Sequence, residues 1–145
     1  MIKILCLGKL KEQYLVDLVE DYQKRLSKYH KLEIIELKDD VDQTKETRSL
    51  LNAIGKNDYL ILMDINGEEF SSEEFAKLID KTFIEHSNIT FIIGSSIGVS
   101  DEIKNLCHRR ISFSKLTMPH GLFRGVLLEQ LYRAFKINNH ESYHK

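Results

Sequence analysis

Ile2–Leu7 is a short apolar run, and Leu15, Leu18, Val19, Tyr22 and Leu26 follow at helical spacing within residues 11–29, so the chain opens strand then helix. Leu32–Leu37 alternates apolar and acidic residues as a half-exposed strand. The polar stretch Lys38–Thr44 reads as a loop before a helix over 45–54. Tyr59–Met63 is continuously apolar, as expected of a strand covered on both faces, and Asn66-Gly67 after it is a turn signal. Ser71 and Glu74 have the spacing of a capping box for a helix reaching about His86. Ile89–Ile93 is a second buried strand, a short helix spans Ser100–His108, and Arg110–Ser114 is the last strand. Pro119 suits the start of a helix that continues from His120 to about Ile137.

Strands alternating with helices predict an α/β fold, a mainly parallel sheet with helices on both faces, in one domain spanning 1–145. Ligands of such sheets bind beyond the carboxyl ends of the strands, which selects the loops after Met63, Ile93 and Ser114. A chain of 145 residues buries roughly 68–70% of its unfolded surface and folds without staples. The two cysteines, Cys6 and Cys107, lack CxxC or Cys/His ligand spacing. They imply a reducing compartment and no metal site. The first residues are too short for a signal peptide, and no run approaches the ~20 apolar residues of a membrane span. A cytoplasmic protein with no membrane partner is expected.

The net charge of −1 conceals a gradient. Lys and Arg outnumber Asp and Glu by 7 to 4 over residues 1–31, fall behind by 6 to 14 over 32–100, and lead again by 8 to 4 over 101–145. That basic last third holds four of the six histidines, and it suits local contact with phosphate without general stickiness for nucleic acid.

Gly94-Ser95-Ser96-Ile97-Gly98-Val99-Ser100 leaves a buried strand with small residues that let a ligand approach the backbone. It has neither a P-loop lysine nor a dinucleotide fingerprint, so from the motif alone a plain turn with a helix cap fits it better. Phe113–His120 is unusually apolar for a connection. It either walls a pocket or tucks onto the core. Gly121 and Gly125, one turn apart in the last helix, suggest close approach of another backbone, a candidate dimer contact.

Leu7-Gly8-Lys9-Leu10-Lys11-Glu12, Ile93–Ser100, Ser112–His120, Leu128-Glu129-Gln130-Leu131-Tyr132-Arg133-Ala134 and Tyr143-His144-Lys145 occur in an order and at separations that resemble the ribosomal RNA large-subunit methyltransferase H family, over essentially the whole chain. The resemblance implies a SPOUT-type fold with a C-terminal trefoil knot, an exception to the rule that chains do not thread loops. It implies a homodimer that uses S-adenosyl-L-methionine to methylate N3 of a pseudouridine in 23S rRNA of the assembled ribosome. Carried over by position, the cofactor contacts are Leu62, Gly94, Phe113, Ser114, Lys115, Leu116, Thr117 and Met118. For the nucleotide, the basic part of the chain offers His120, Arg133, Tyr143 and His144. His144 is the favoured proton acceptor or orienting group, and Arg133 and Tyr143 position the base. Two departures stand out. Ser95 replaces the usual second glycine, and the segment between the second strand and Tyr59 is shorter than in many members, a change expected to touch an outer helix rather than the pocket. A SPOUT enzyme for another RNA position, or a non-catalytic ribosome assembly factor, are the other readings.

Overall fold

The computed structural model describes residues 1–145. Its elements run β1 (Ile2–Leu7), α1 (Gln13–Leu26), β2 (Leu32–Leu37), α2 (Gln43–Ala53), β3 (Tyr59–Glu69), α3 (Ser72–Glu85), β4 (Ile89–Ile93), α4 (Asp101–Leu106), β5 (Arg109–Ser112) and α5 (His120–Asn138). The five strands form one sheet in the order β2-β1-β4-β3-β5, and every pairing is parallel. No helix is long and apolar enough to cross a membrane.

Alternate residues of each strand enter opposite cores, as the pleat requires. Ile4, Cys6, Ile61, Phe91 and Ile93 pack with α1, α3 and α5, whereas Leu5, Leu7, Leu62 and Ile92 pack with Leu50 of α2 and Ile103 of α4. Near-continuous apolar strands are the signature of this double burial, so the sheet with helices on both faces agrees with the sequence reading. The capping box forms as expected: Ser71 Oγ accepts from Glu74 N–H, and the Glu74 carboxylate accepts from Ser71 N–H.

The Asn66-Gly67 signal behaves differently from the expectation. Asp64 Oδ1 accepts Asn66 N–H, which is local turn chemistry, yet β3 runs on to Glu69. Met63 and Glu68 both pair with Ile111, so the intervening residues bulge while the ladder with β5 resumes beyond them. A Cβ at Gly67 would stand 2.6 Å from the Arg110 carbonyl carbon, and only glycine admits that approach.

The glycines of α5 also have their partner within the chain. A Cβ on Gly121 would meet Leu15 and Leu10 at 3.1 and 3.2 Å, and one on Gly125 would overlap the Leu18 side chain. The close approach inferred from their spacing is therefore that of α1 of the same chain. The Gly121/Gly125 face is not free to serve as the dimer contact.

Arg124, 3% exposed, fixes the start of α5. Its guanidinium donates to Glu36 Oε2 at 2.6 Å and to the Gly8 carbonyl at 3.1 Å, and Glu36 Oε2 also accepts Leu10 N–H at 3.0 Å. Partial burial works against the Glu36 charge, but the Leu10 N–H and Arg124 outweigh it and hold the carboxyl below its usual range.

Gly67→Ala should lower the unfolding free energy by about 1–3 kcal/mol, since a methyl driven into packed backbone must displace β5. Urea denaturation checks this, and an unchanged midpoint would contradict the close approach. A carboxyl whose pKa is depressed on folding stabilises the protein above its unfolded pKa of about 4.3 and loses that contribution as pH falls through the folded value. Urea midpoints of wild type and Glu36→Gln should therefore converge on acidification below about pH 4. A gap independent of pH would show that the Glu36 charge is not held by Arg124.

Candidate functional site

β4 ends at Ile93, level with Met63 of β3, and releases the glycine-serine loop at the carboxyl edge of the sheet. Gly98 N–H donates to the Ser95 carbonyl, Gly98 has φ +75°, and nothing lies within 4 Å of where its Cβ would be. The loop thus carries an open stretch of backbone at Gly98, with Ile97 beside it 46% exposed. Ser100 closes it as the N-cap of α4 by accepting Ile103 N–H.

The second loop leaves β5 on the other side of β3. Its base is anchored by Phe113, which packs edge-on to Phe75 at 5.3 Å and against Phe123 at 5.5 Å. Ser114 then accepts Leu116 N–H at its hydroxyl and Ser112 Oγ–H at its carbonyl. Beyond that turn Lys115, Leu116 and Thr117 are exposed, Leu116 by 77%, while Met118 is half-buried. Phe113 is tucked onto the core, whereas Leu116 stands in solvent.

Leu62 is 1% exposed and mid-strand, paired with Ile92. Because β3 extends to Glu69, no loop follows Met63. The Leu62 side chain is part of the core under α2 and α4.

Of the residues considered for the nucleotide, Arg133, Tyr143 and His144 come together. Glu129 Oε1 accepts from Arg133 Nε at 2.9 Å and from Tyr143 Oη at 3.2 Å, and the Arg133 guanidinium lies 4.8 Å from the Tyr143 ring centroid. With its proton given to Glu129, Tyr143 receives one from Tyr22 at 3.3 Å. Burial, the Tyr22 hydroxyl and the Glu129 charge push the Tyr143 phenol pKa up, so it remains a protonated donor. His120 stands apart: thirteen residues up α5 from Arg133, about 20 Å by helical rise, with Cε1 3.6 Å from the place of a Gly8 Cβ.

His144 is held at both ring nitrogens. Arg133 approaches Nδ1 at 3.0 Å, and Glu73 Oε1 lies 2.6 Å from Nε2. A guanidinium can only donate, so Nδ1 is the acceptor and the ring proton on Nε2 is donated to Glu73. That contact draws the Glu73 carboxyl below its usual range.

Glu73 and Glu129 were not singled out from the sequence. Glu129 is i,i+4 to Arg133 within a motif already noted, a legible signal; Glu73 sits between the capping-box residues Ser71 and Glu74, where the sequence gives it no signal of its own. The first turn of α3 is in fact a junction: Ser72 donates to Gln130 of α5, Glu73 holds His144, and Phe75 meets Phe113. Two cavities, of about 420 and 330 Å³, lie elsewhere: one at the opposite edge around His30, Phe83 and Phe135, the other between α1 and β2.

A family model for predicted SPOUT methyltransferases matches residues 1–144. "Ribosomal RNA large subunit methyltransferase H" of Streptococcus uberis is 46% identical over 157 aligned residues, covering 99% of each chain. The protein of the same name from Clostridium acetobutylicum is 45% identical, with 99% of each covered. The chain belongs to this methyltransferase family. Alignments of 157 positions against 145 residues agree with a chain shorter than its relatives. Among solved structures, the SpoU methyltransferase AviRb from Streptomyces viridochromogenes superposes with TM-score 0.51 at 10% identity, over 98% of this chain and 62% of that one. Its complex with the cofactor AdoMet gives TM-score 0.51 at 9% identity, over 97% and 61%. At such identity the likeness is one of fold.

The SPOUT fold of the family is consistent with the all-parallel sheet. In the protein as it stands, nitrogen-15 correlation spectra should show His144 with its proton on Nε2. A proton on Nδ1 would contradict the Arg133–His144–Glu73 chain.

Proposed function

We propose that this chain transfers a methyl group from S-adenosylmethionine to N3 of a pseudouridine in 23S rRNA, acting as a homodimer on the assembled ribosome. The observation that carries the reading is the match to the ribosomal RNA large-subunit methyltransferase H family over the whole described length. The geometry supports it. An open backbone at Gly98 and the exposed apolar side chains Ile97 and Leu116 suit an adenosyl group, and the residues to hold it are Gly94 with Phe113, Ser114, Lys115, Leu116, Thr117 and Met118, over Leu62. When bound, S-adenosylmethionine supplies an electrophilic methyl group.

The chain's own task is alignment and charge. Displacement at carbon needs the nucleophile in line and water excluded, which is positioning work. An imide nitrogen reacts once its proton is lost, and a fixed guanidinium stabilises the resulting anion. Arg133, made firmly cationic by Glu129, suits that role, and Tyr143 as a protonated donor suits holding the base. His144, engaged at both nitrogens, orients the nucleotide as it stands. With Nε2 already carrying the ring proton, it accepts another only at Nδ1, by releasing Arg133. His120 lies about 20 Å along α5 from Arg133, so within one protomer it does not reach this group.

Calorimetry should show about one S-adenosylmethionine per protomer, and light scattering a dimer at micromolar concentration. Removing residues 143–145 should leave cofactor affinity within about twofold, while methyl transfer falls by roughly 10²–10⁴ if His144 takes the proton and by less if it only orients. Transfer to unmodified ribosomes followed by mass spectrometry of the nucleosides should yield N3-methylpseudouridine. A methylated ribose or another base would move the target. Absence of both binding and transfer would leave the assembly-factor reading.

A further inference from the structure

Glu46 is a carboxylate that α2 carries 2% exposed and that no Lys, Arg or His pairs with. A buried charge without a counterion is costly unless hydrogen bonds satisfy it. Two do, and both come from loops at the carboxyl edge of the sheet. Asp40 N–H, in the connection after β2, donates to Oε2 at 2.8 Å, and Ser95 Oγ, the second residue of the glycine-serine loop, donates to Oε1 at 2.8 Å. The next residue repeats the pattern at the other end of that loop. Thr47, also buried, donates to Ser100 Oγ at 2.8 Å.

Two consecutive residues of α2 therefore hold both ends of a loop whose middle contains the left-handed Gly98. This corrects the expectation that the segment before Tyr59 concerns only an outer helix, because α2 reaches the candidate pocket directly. It also accounts for Ser95. A glycine there has no hydroxyl to offer Glu46, so the serine exchanges backbone freedom for a charge-assisted tether.

We infer that Glu46, acting through Ser95, is a positioning residue that sets the conformation of the glycine-serine loop for cofactor binding; this rests on the cofactor reading proposed above. Neither side chain takes a chemical step. Their effect is to pre-organise the loop, so they act on cofactor affinity rather than on turnover once the cofactor is bound.

The test is a double-mutant cycle read as the dissociation constant for S-adenosylhomocysteine by calorimetry, at a temperature well below every variant's unfolding midpoint. Glu46→Ala and Ser95→Ala should each raise the constant about five- to tenfold, and the double variant should be no weaker than Glu46→Ala alone, the mark of a shared interaction. KM for S-adenosylmethionine should rise with them while saturated turnover on ribosomes stays within about twofold. Glu46→Gln should restore affinity, since its amide can accept Asp40 N–H and donate to Ser95 Oγ. If Glu46→Ala does not fold, Ser95→Ala decides alone. Wild-type affinity in Ser95→Ala, or effects that simply add, would overturn the inference. Failure of the wild-type protein to bind would instead overturn the cofactor reading.

Discussion

A guanidinium taken out of water has to be held by the groups around it, and Arg124 is the one cation in this chain so treated. Its bonds to Glu36 and to the Gly8 carbonyl join the first turns of α5 to the ends of β2 and β1, on the far side of the sheet from β5, where the chain has just come from. Losing Glu36 would leave the buried guanidinium with only the Gly8 carbonyl, although the carboxylate itself is partly exposed. The path of the chain from β5 across the carboxyl edge is thus fixed at its landing point by electrostatics and at its departure by backbone contact, where Gly67 lets β5 lie against β3. The apolar loop 113–119 hangs between these two anchors.

With α5 located, the rest of the site follows from what that helix carries. Leu18 and Leu15 of α1 seat on its two glycines, Gln130 meets the first turn of α3, and Glu129 gathers Arg133 and Tyr143. The last residues fold back so that His144 bridges α5 and α3 through Arg133 and Glu73. Fold and proposed chemistry share a device: charged groups made rigid by partners of opposite sign, Arg124 for architecture and Arg133 for the nucleotide.

Much of this was legible in the sequence because it is local. Tyr59–Met63 and Ile89–Ile93 read as doubly buried strands from composition, and Ser71 with Glu74 read as a helix start from spacing. What failed depends on contacts between distant segments. Asn66-Gly67 has real turn chemistry, and only pairing with Arg110 and Ile111 keeps it in a strand. The Gly121/Gly125 spacing announced a close neighbour without saying that it is α1. Nothing in the sequence marks Glu46, whose burial against Ser95 is a tertiary fact. In the candidate site, the two loops were visible as composition and the tail as a motif. Glu73, which fixes the His144 tautomer, was not visible, since nothing in a helix cap signals a partner seventy-one residues away.

The central proposal is that the loops after β4 and β5, steadied by α2 and by the Phe113 anchor, hold the cofactor, while the Arg133–Tyr143–His144 group serves the nucleotide. A crystal structure of the protein with S-adenosylhomocysteine tests it most directly. The account predicts ligand density against Gly94–Gly98 and residues 113–118, with the Ser95–Glu46 hydrogen bond retained. Ligand lodged instead in the cavity around His30, Phe83 and Phe135, or between α1 and β2, would contradict it.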